Sequence, residues 1–167
     1  MTAAERAVAL LKKAHLTLSS AESCTGGLIA SQITSVPGAS AVFRGGVVTY
    51  QTDTKSLLLG VDADLLRRKG PVCPEVARQM ADGVRILLGA DLAVSVTGLA
   101  GPDGDGSDAK VGDVYIGFSS PRGTDILELH DPIGRDALRT LACQTVLERI
   151  SLYCQSEGAD QFTDSSF

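Results

Sequence analysis

The sequence lacks an excess of basic residues. Its 15 Lys and Arg face 20 Asp and Glu, a net charge of −5. General nucleic-acid binding needs a basic footprint and is excluded on that ground, while a local basic pocket for one phosphate is still allowed. No two of the four cysteines, Cys24, Cys73, Cys143 and Cys154, are spaced as C-x-x-C, and the two histidines, His15 and His130, stand far apart. A zinc site is therefore not expected. No apolar run approaches the length of a membrane span. Nor does the chain start like a signal peptide: Thr2-Ala3-Ala4-Glu5 is a capping box that opens a charged helix. These absences lead us to expect a cytoplasmic protein with reduced thiols and neither nucleic-acid nor membrane partners. There is no internal repeat, low-complexity segment or linker. With 167 residues, 44% of them hydrophobic, one domain with a sizeable core is expected.

What is present alternates between helical and extended patterns. A helix is predicted over 3–14, with Val8, Leu11 and Ala14 at helical steps. A strand follows over 15–20, then a turn around Ser23 and a helix over 28–33 that Val36-Pro37-Gly38 ends. Residues 38–46 read as a loop and 47–50 as a β-branched and aromatic strand. Asp53 is a plausible N-cap for a short helix ending at Gly60. A polar helical turn over 62–69 leads to Pro74, which opens a helix to Leu88 whose apolar face is Val76, Met80, Val84, Leu87 and Leu88. Residues 92–97 form a buried strand, 98–106 a glycine-rich loop, and 111–119 with 125–130 a hairpin. A last helix covers 135–154. We expect a domain over 1–155 and a mobile tail over 156–167. This order implies an α/β fold with a mixed sheet and helices on both faces. In such sheets ligands bind beyond the carboxyl ends of strands. Polar loops leave strand ends at Ser23, at Lys55 and at Thr97–Gly106, so these three are expected to share one crevice.

Ser23 sits where a strand stops and a helix starts. Unpaired N–H groups there can hold a phosphate or an oxyanion, and Gly26 and Gly27 allow close approach to the backbone. A serine needs a base to become a nucleophile. His15 and His130 are read as structural or surface residues, which leaves a lysine. Lys55 serves only if its pKa falls well below about 10.4, and burial and the positive end of its own helix would both act in that direction. The hydroxyl of Tyr50 is placed to relay a proton or to orient Ser23 and Lys55. Cys24 is a rival nucleophile, because a helix N-terminus lowers thiol pKa. It ranks below Ser23.

Six blocks occur in a characteristic order. They are Glu22-Ser23-x-Thr25-Gly26-Gly27; Phe43-x-Gly45-Gly46-x-Val48-x-Tyr50; Lys55-x-x-Leu58-Leu59-Gly60-Val61; Pro74-Glu75-Val76-Ala77-x-x-Met80-Ala81; Thr97-Gly98-x-Ala100-Gly101-Pro102; and Val111-Gly112-x-Val114-Tyr115-Ile116-Gly117. Together they resemble the C-terminal domain of the competence/damage-inducible protein CinA, whose stand-alone form is the nicotinamide-nucleotide amidase PncC. The resemblance covers about 7–150. It implies a three-layer α/β/α fold with a mixed, mostly parallel five-stranded sheet. It also implies a metal-independent amidase, without cofactor, that converts nicotinamide mononucleotide to nicotinate mononucleotide and ammonia in pyridine nucleotide recycling.

By resemblance Ser23 is the nucleophile, Lys55 the catalytic lysine and Tyr50 an assisting residue. Thr25, Gly26, Gly27, Gly46, Thr97, Gly98, Ala100 and Gly101 are expected to bind substrate. Arg44, Arg135 and Arg139 are the candidates to seat its phosphate. N–H groups of the 24–27 turn or the 97–101 loop would hold the oxyanion. Larger family members carry an N-terminal pyrophosphatase domain that has no counterpart here, so the stand-alone form is expected, as a homodimer or higher homo-oligomer. Three departures stand out: Gln51-Thr52 after the tyrosine, Cys73 before Pro74, and the acidic Asp103, Asp105 and Asp108. These carboxylates would repel a substrate phosphate if they faced it. They support an alternative, a family member that binds a nucleotide or assembles with partners without catalysis. A different amidase or esterase with the same dyad is a third reading.

Overall fold

Strand β1 (Leu18–Glu22) is buried along its whole length and pairs in parallel on both sides, with β2 (Phe43–Val48) and β3 (Leu92–Gly98). β4 (Asp113–Ser120) runs antiparallel to β3, and β5 (Gly123–His130) antiparallel to β4, giving the order β2-β1-β3-β4-β5. These coordinates are a computed structural model that describes residues 1–163, with side chains over 1–156. The sheet is mixed, as expected. Its parallel share is half of the four pairings rather than most of them.

Among the described residues there are six α-helices, α1 (Ala3–Ala14), α2 (Leu28–Thr34), α3 (Thr52–Leu59), α4 (Ala63–Lys69), α5 (Pro74–Leu88) and α6 (Arg135–Thr163), and one 3-10 turn at Ala39–Ala41. Strand alternation assigns their layers. Leu18, Leu92, Val94, Val96, Ile116 and Phe118 face α1, α2 and α6, whereas Ala21 and Ala93 face α3, α4 and α5. The second face carries small residues, which lets α5 lie close. Ser95 Oγ donates to the Ala77 carbonyl at 2.6 Å. A Cβ on Gly117 would stand 2.5 Å from that same oxygen, so only glycine fits there. Among the described residues no helix is long and apolar enough to cross a membrane.

Several boundaries move from the sequence reading, each for a local reason. The first strand starts at Leu18, not His15, because His15 adopts a left-handed conformation (φ 55°) that caps α1. Residues 43–46 are strand rather than loop: Gly45 and Gly46 pair with Ser19 and Ser20 along the sheet edge. That places Tyr50 beyond the strand end. Gln51, not Asp53, caps α3, and Asp53 lies in its first turn. Residues 63–69 form a full helix, with Asp62 accepting from the Asp64 N–H. Leu87 is half exposed, so the buried stripe of α5 is Val76, Met80 and Val84. The last helix continues past Cys154 to Thr163, so the expected tail is helical that far; the rest of it, 164–167, lies outside the described residues.

Candidate active site

The site forms where β1 and β3 end. The Ser23 N–H donates to the Val96 carbonyl at 3.0 Å, and the Glu22 carbonyl accepts from the Thr49 N–H at 2.9 Å. Ser23 is thus still held by the sheet while its side chain is free of it. The turn that follows closes with the Gly26 N–H on the Ser23 carbonyl at 3.0 Å. Gly26 and Gly27 both take positive φ there.

The N-terminus of α2 is not open to a ligand. The Glu22 carboxylate, 1% exposed, accepts from the N–H groups of Gly27 (3.0 Å), Ile29 (3.1 Å) and Ala30 (2.9 Å). An anion supplied by the chain itself fills the position expected for an oxyanion. This corrects the sequence reading of the 24–27 turn: of its N–H groups, those of Gly26 and Gly27 are spoken for. The N–H groups of Cys24, Thr25, Ala100 and Gly101 donate to no carbonyl among the described residues. Sequence reasoning missed Glu22, although α2 has no acid in its own first turn.

Lys55 enters from α3 on the opposite face of the sheet and is 1% exposed. Its Nζ lies 3.1 Å from Ser23 Oγ and 2.6 Å from the Thr49 carbonyl oxygen. Among the described residues no carboxylate reaches it. Burial lowers its pKa from 10.5 to about 8, opposed only by the neighbouring Cys24 thiol. In the neutral form one amine hydrogen serves the Thr49 carbonyl, and the lone pair is left to accept the Ser23 hydroxyl proton. Cys24 is shifted the other way. Burial pushes its thiol up to about 11, which removes it as a rival nucleophile.

Ser23 and Lys55 open into a cleft of about 270 Å³. Thr97, Gly98, Ala100 and Gly101 line it, as expected, and Thr97 Oγ1 braces it by donating to the Pro71 carbonyl at 2.7 Å. Tyr50 stands on the rim. Its hydroxyl accepts from Arg135 Nη2 at 3.0 Å, while Arg135 Nη1 donates to the Gly101 carbonyl at 2.9 Å. The relay assigned to Tyr50 is not needed, because amine and hydroxyl touch directly. Asp103 and Asp105 also line the cleft.

Other expected residues lie elsewhere. Thr25, Gly26 and Gly27 do not line the cleft. Gly46 is inside β2, where a Cβ would meet Ser20 Oγ at 2.4 Å. Arg44 donates to the Leu88 carbonyl at the end of α5 (2.8 Å), and Arg139 donates to the Cys24 and Thr25 carbonyls (3.0 and 3.2 Å). Of the three arginines only Arg135 faces the cleft. His130 pairs with Asp113 and Glu128 on the surface. No three His, Cys, Asp or Glu side chains among the described residues cluster to hold an ion.

Comparison with known proteins places this arrangement. Residues 1–154 match the model of the CinA C-terminal domain. A putative competence-damage inducible protein of Caldanaerobacter subterraneus subsp. tengcongensis is 44% identical over 93% of this chain, and a CinA-like protein of Geobacter sulfurreducens 48% identical over 83%. The chain spans 38% and 34% of those two proteins' lengths. The solved structure of the competence/damage inducible protein CihA from Agrobacterium tumefaciens is 37% identical. It superposes with a TM-score of 0.86 over 92% of this chain and 93% of its own. The chain belongs to the CinA C-terminal domain family.

Proposed function

We propose that the chain is an amidohydrolase that releases ammonia from nicotinamide mononucleotide, with Ser23 as nucleophile and Lys55 as general base. The observation that carries the reading is the buried, counterion-free Nζ of Lys55 at 3.1 Å from Ser23 Oγ. A lysine so placed is a poor ion-pair partner and a good base. As Oγ bonds to the carboxamide carbon, the hydroxyl proton passes to Nζ and the C=O pair moves onto oxygen. N–H groups at Cys24, or at Ala100 and Gly101, all lining the cleft and taken up by no carbonyl among the described residues, offer that oxygen about 3 kcal/mol per donor. The C–N bond then breaks, Nζ returns the proton to the departing nitrogen, and ammonia leaves. Water, deprotonated by Nζ, cleaves the acyl-enzyme to the carboxylate and restores Ser23. Arg135 is the cation available to a phosphate in the cleft.

A second reading has an observation of its own. Asp103 and Asp105 face the same cleft, as a site unsuited to a phosphate dianion would have them. On that reading the chain binds a nucleotide or a partner without turning anything over. Assaying ammonia release from nicotinamide mononucleotide, its nucleoside and free nicotinamide separates the two. Turnover of the mononucleotide that is lost in both Ser23→Ala and Lys55→Ala supports the amidase. Binding without ammonia favours the second reading, and turnover of simple amides alone would point to another amidase.

A further inference from the structure

Arg139 was expected to seat a phosphate, yet its guanidinium turns away from the cleft and onto the back of the Ser23 turn. Its Nε donates to the Cys24 carbonyl at 3.0 Å and its Nη2 to the Thr25 carbonyl at 3.2 Å. The remaining polar contact is a long one, Nη1 to Asp136 Oδ1 at 3.5 Å. In a trans peptide the C=O and N–H of one plane point in opposite directions. Fixing a carbonyl therefore aims the following N–H. The Thr25–Gly26 plane confirms the direction: its carbonyl is on Arg139, and its N–H lands on the Ser23 carbonyl at 3.0 Å. The Cys24–Thr25 plane is held the same way, and its N–H donates to no carbonyl among the described residues. The Ser23–Cys24 plane is fixed by the Gly26 N–H on the Ser23 carbonyl, so the Cys24 N–H is aimed alike.

We propose that Arg139 is a positioning residue, which holds the Ser23 turn so that the Cys24 N–H points at the oxyanion formed on the carbonyl that Ser23 attacks. It does so by gripping the Cys24 and Thr25 carbonyls from behind. This rests on the Ser23–Lys55 reading above. The grip is bidentate and planar, a geometry that lysine does not reproduce. It also makes the Cys24 N–H a preorganised donor, whose dipole needs no rearrangement as charge develops. Two facts argue against a role in substrate binding: Arg139 does not line the cleft, and its charge is spent on main-chain oxygens.

A small alkyl fluorophosphonate tests this without knowledge of the substrate. Ser23 Oγ bonds to phosphorus, fluoride leaves, the hydroxyl proton passes to Lys55, and the phosphoryl oxygen takes the oxyanion position. We expect the maximal labelling rate of Ser23 to fall about 100-fold in Arg139→Ala and about 10-fold in Arg139→Lys. The probe concentration at half-maximal rate and the midpoint of the pH–rate curve stay as in wild type. Added guanidinium ion restores part of the rate to Arg139→Ala. Arg139→Lys keeps the charge and most of the stem, so it supplies the comparison if Arg139→Ala does not fold. Wild-type labelling rates in folded Arg139→Lys would overturn the positioning role alone, and so would a rate loss that comes with a shifted pH midpoint. No labelling of Ser23 in the wild type would overturn the dyad, and this inference with it.

Discussion

Two buried charges flank the end of β1, and the protein treats them in opposite ways. On the α2 face, Glu22 is surrounded by donors: three N–H groups of one helix start converge on its two oxygens. On the α3 face, Lys55 is equally buried but has only a carbonyl and a hydroxyl. The first is a charge whose desolvation is compensated by hydrogen bonds and a helix dipole. The second has no anion to compensate it, so the interior disfavours its charged form. One adjacent pair of residues, Glu22 and Ser23, thus joins a structural anion to a reactive hydroxyl. An ionisable group built for stability is fully partnered, and one built for chemistry is left short of partners.

That contrast breaks most visibly at the reactive pair. Ser23→Ala and Lys55→Ala should each lower the rate of ammonia release by about 10⁴-fold or more, measured as ammonia under saturating substrate. Wild-type rates in either variant would reject the dyad. The next effect is on pH. Because Lys55 is needed uncharged and its pKa is lowered to about 8, kcat/KM should rise about tenfold per unit up to pH 8 and then level off.

Stability should respond with opposite signs on the two faces. Glu22→Ala leaves three N–H groups without an acceptor and should cost about 3 kcal/mol in denaturant unfolding. Lys55→Met removes a charge the interior disfavours and should stabilise the fold by about 2 kcal/mol at pH 7. The sign follows from linkage. Between pH 8 and 10.5 the unfolded chain holds the Lys55 proton and the folded chain does not, so wild-type stability gains over that window. Below pH 8 both states are protonated and the penalty is fully present. The difference between wild type and Lys55→Met should therefore shrink as pH rises from 8 to 10.5; a constant difference would contradict the assignment. The smallest effect is at the rim. Asp103→Asn with Asp105→Asn should tighten a phosphorylated substrate a few-fold against its nucleoside, since exposed like charges interact weakly through water. Equal affinities before and after would mean that the two carboxylates do not face the phosphate.

Much of this was legible in the residues. α1, opened by a capping box, and α5, opened by Pro74 and closed by Gly89, read almost to the residue, because their end signals are local. β2 was harder: Gly45 and Gly46 argue against a strand, and only the fold shows Gly46 pressed against Ser20, where a side chain would not fit. At the site, Ser23 and Lys55 could be named because their roles depend on residue type and on sheet order. The arginines could not be sorted. Arg44, Arg135 and Arg139 are alike in sequence, and only the fold puts one in the cleft, one at a helix end and one behind the turn. Glu22 was overlooked because its partners are backbone N–H groups, which leave no mark on residue identity.

The account depends on Lys55 giving up its proton near pH 8 rather than near 10.5. Titrating protein labelled with ¹³C at lysine Cε, and assigning the Lys55 signal with Lys55→Met, reads this directly. We predict one lysine whose signal moves with a midpoint near 8, apart from the rest. A Lys55 signal that titrates with the others, near 10.5, would contradict the claim that burial prepares this amine to take the Ser23 proton.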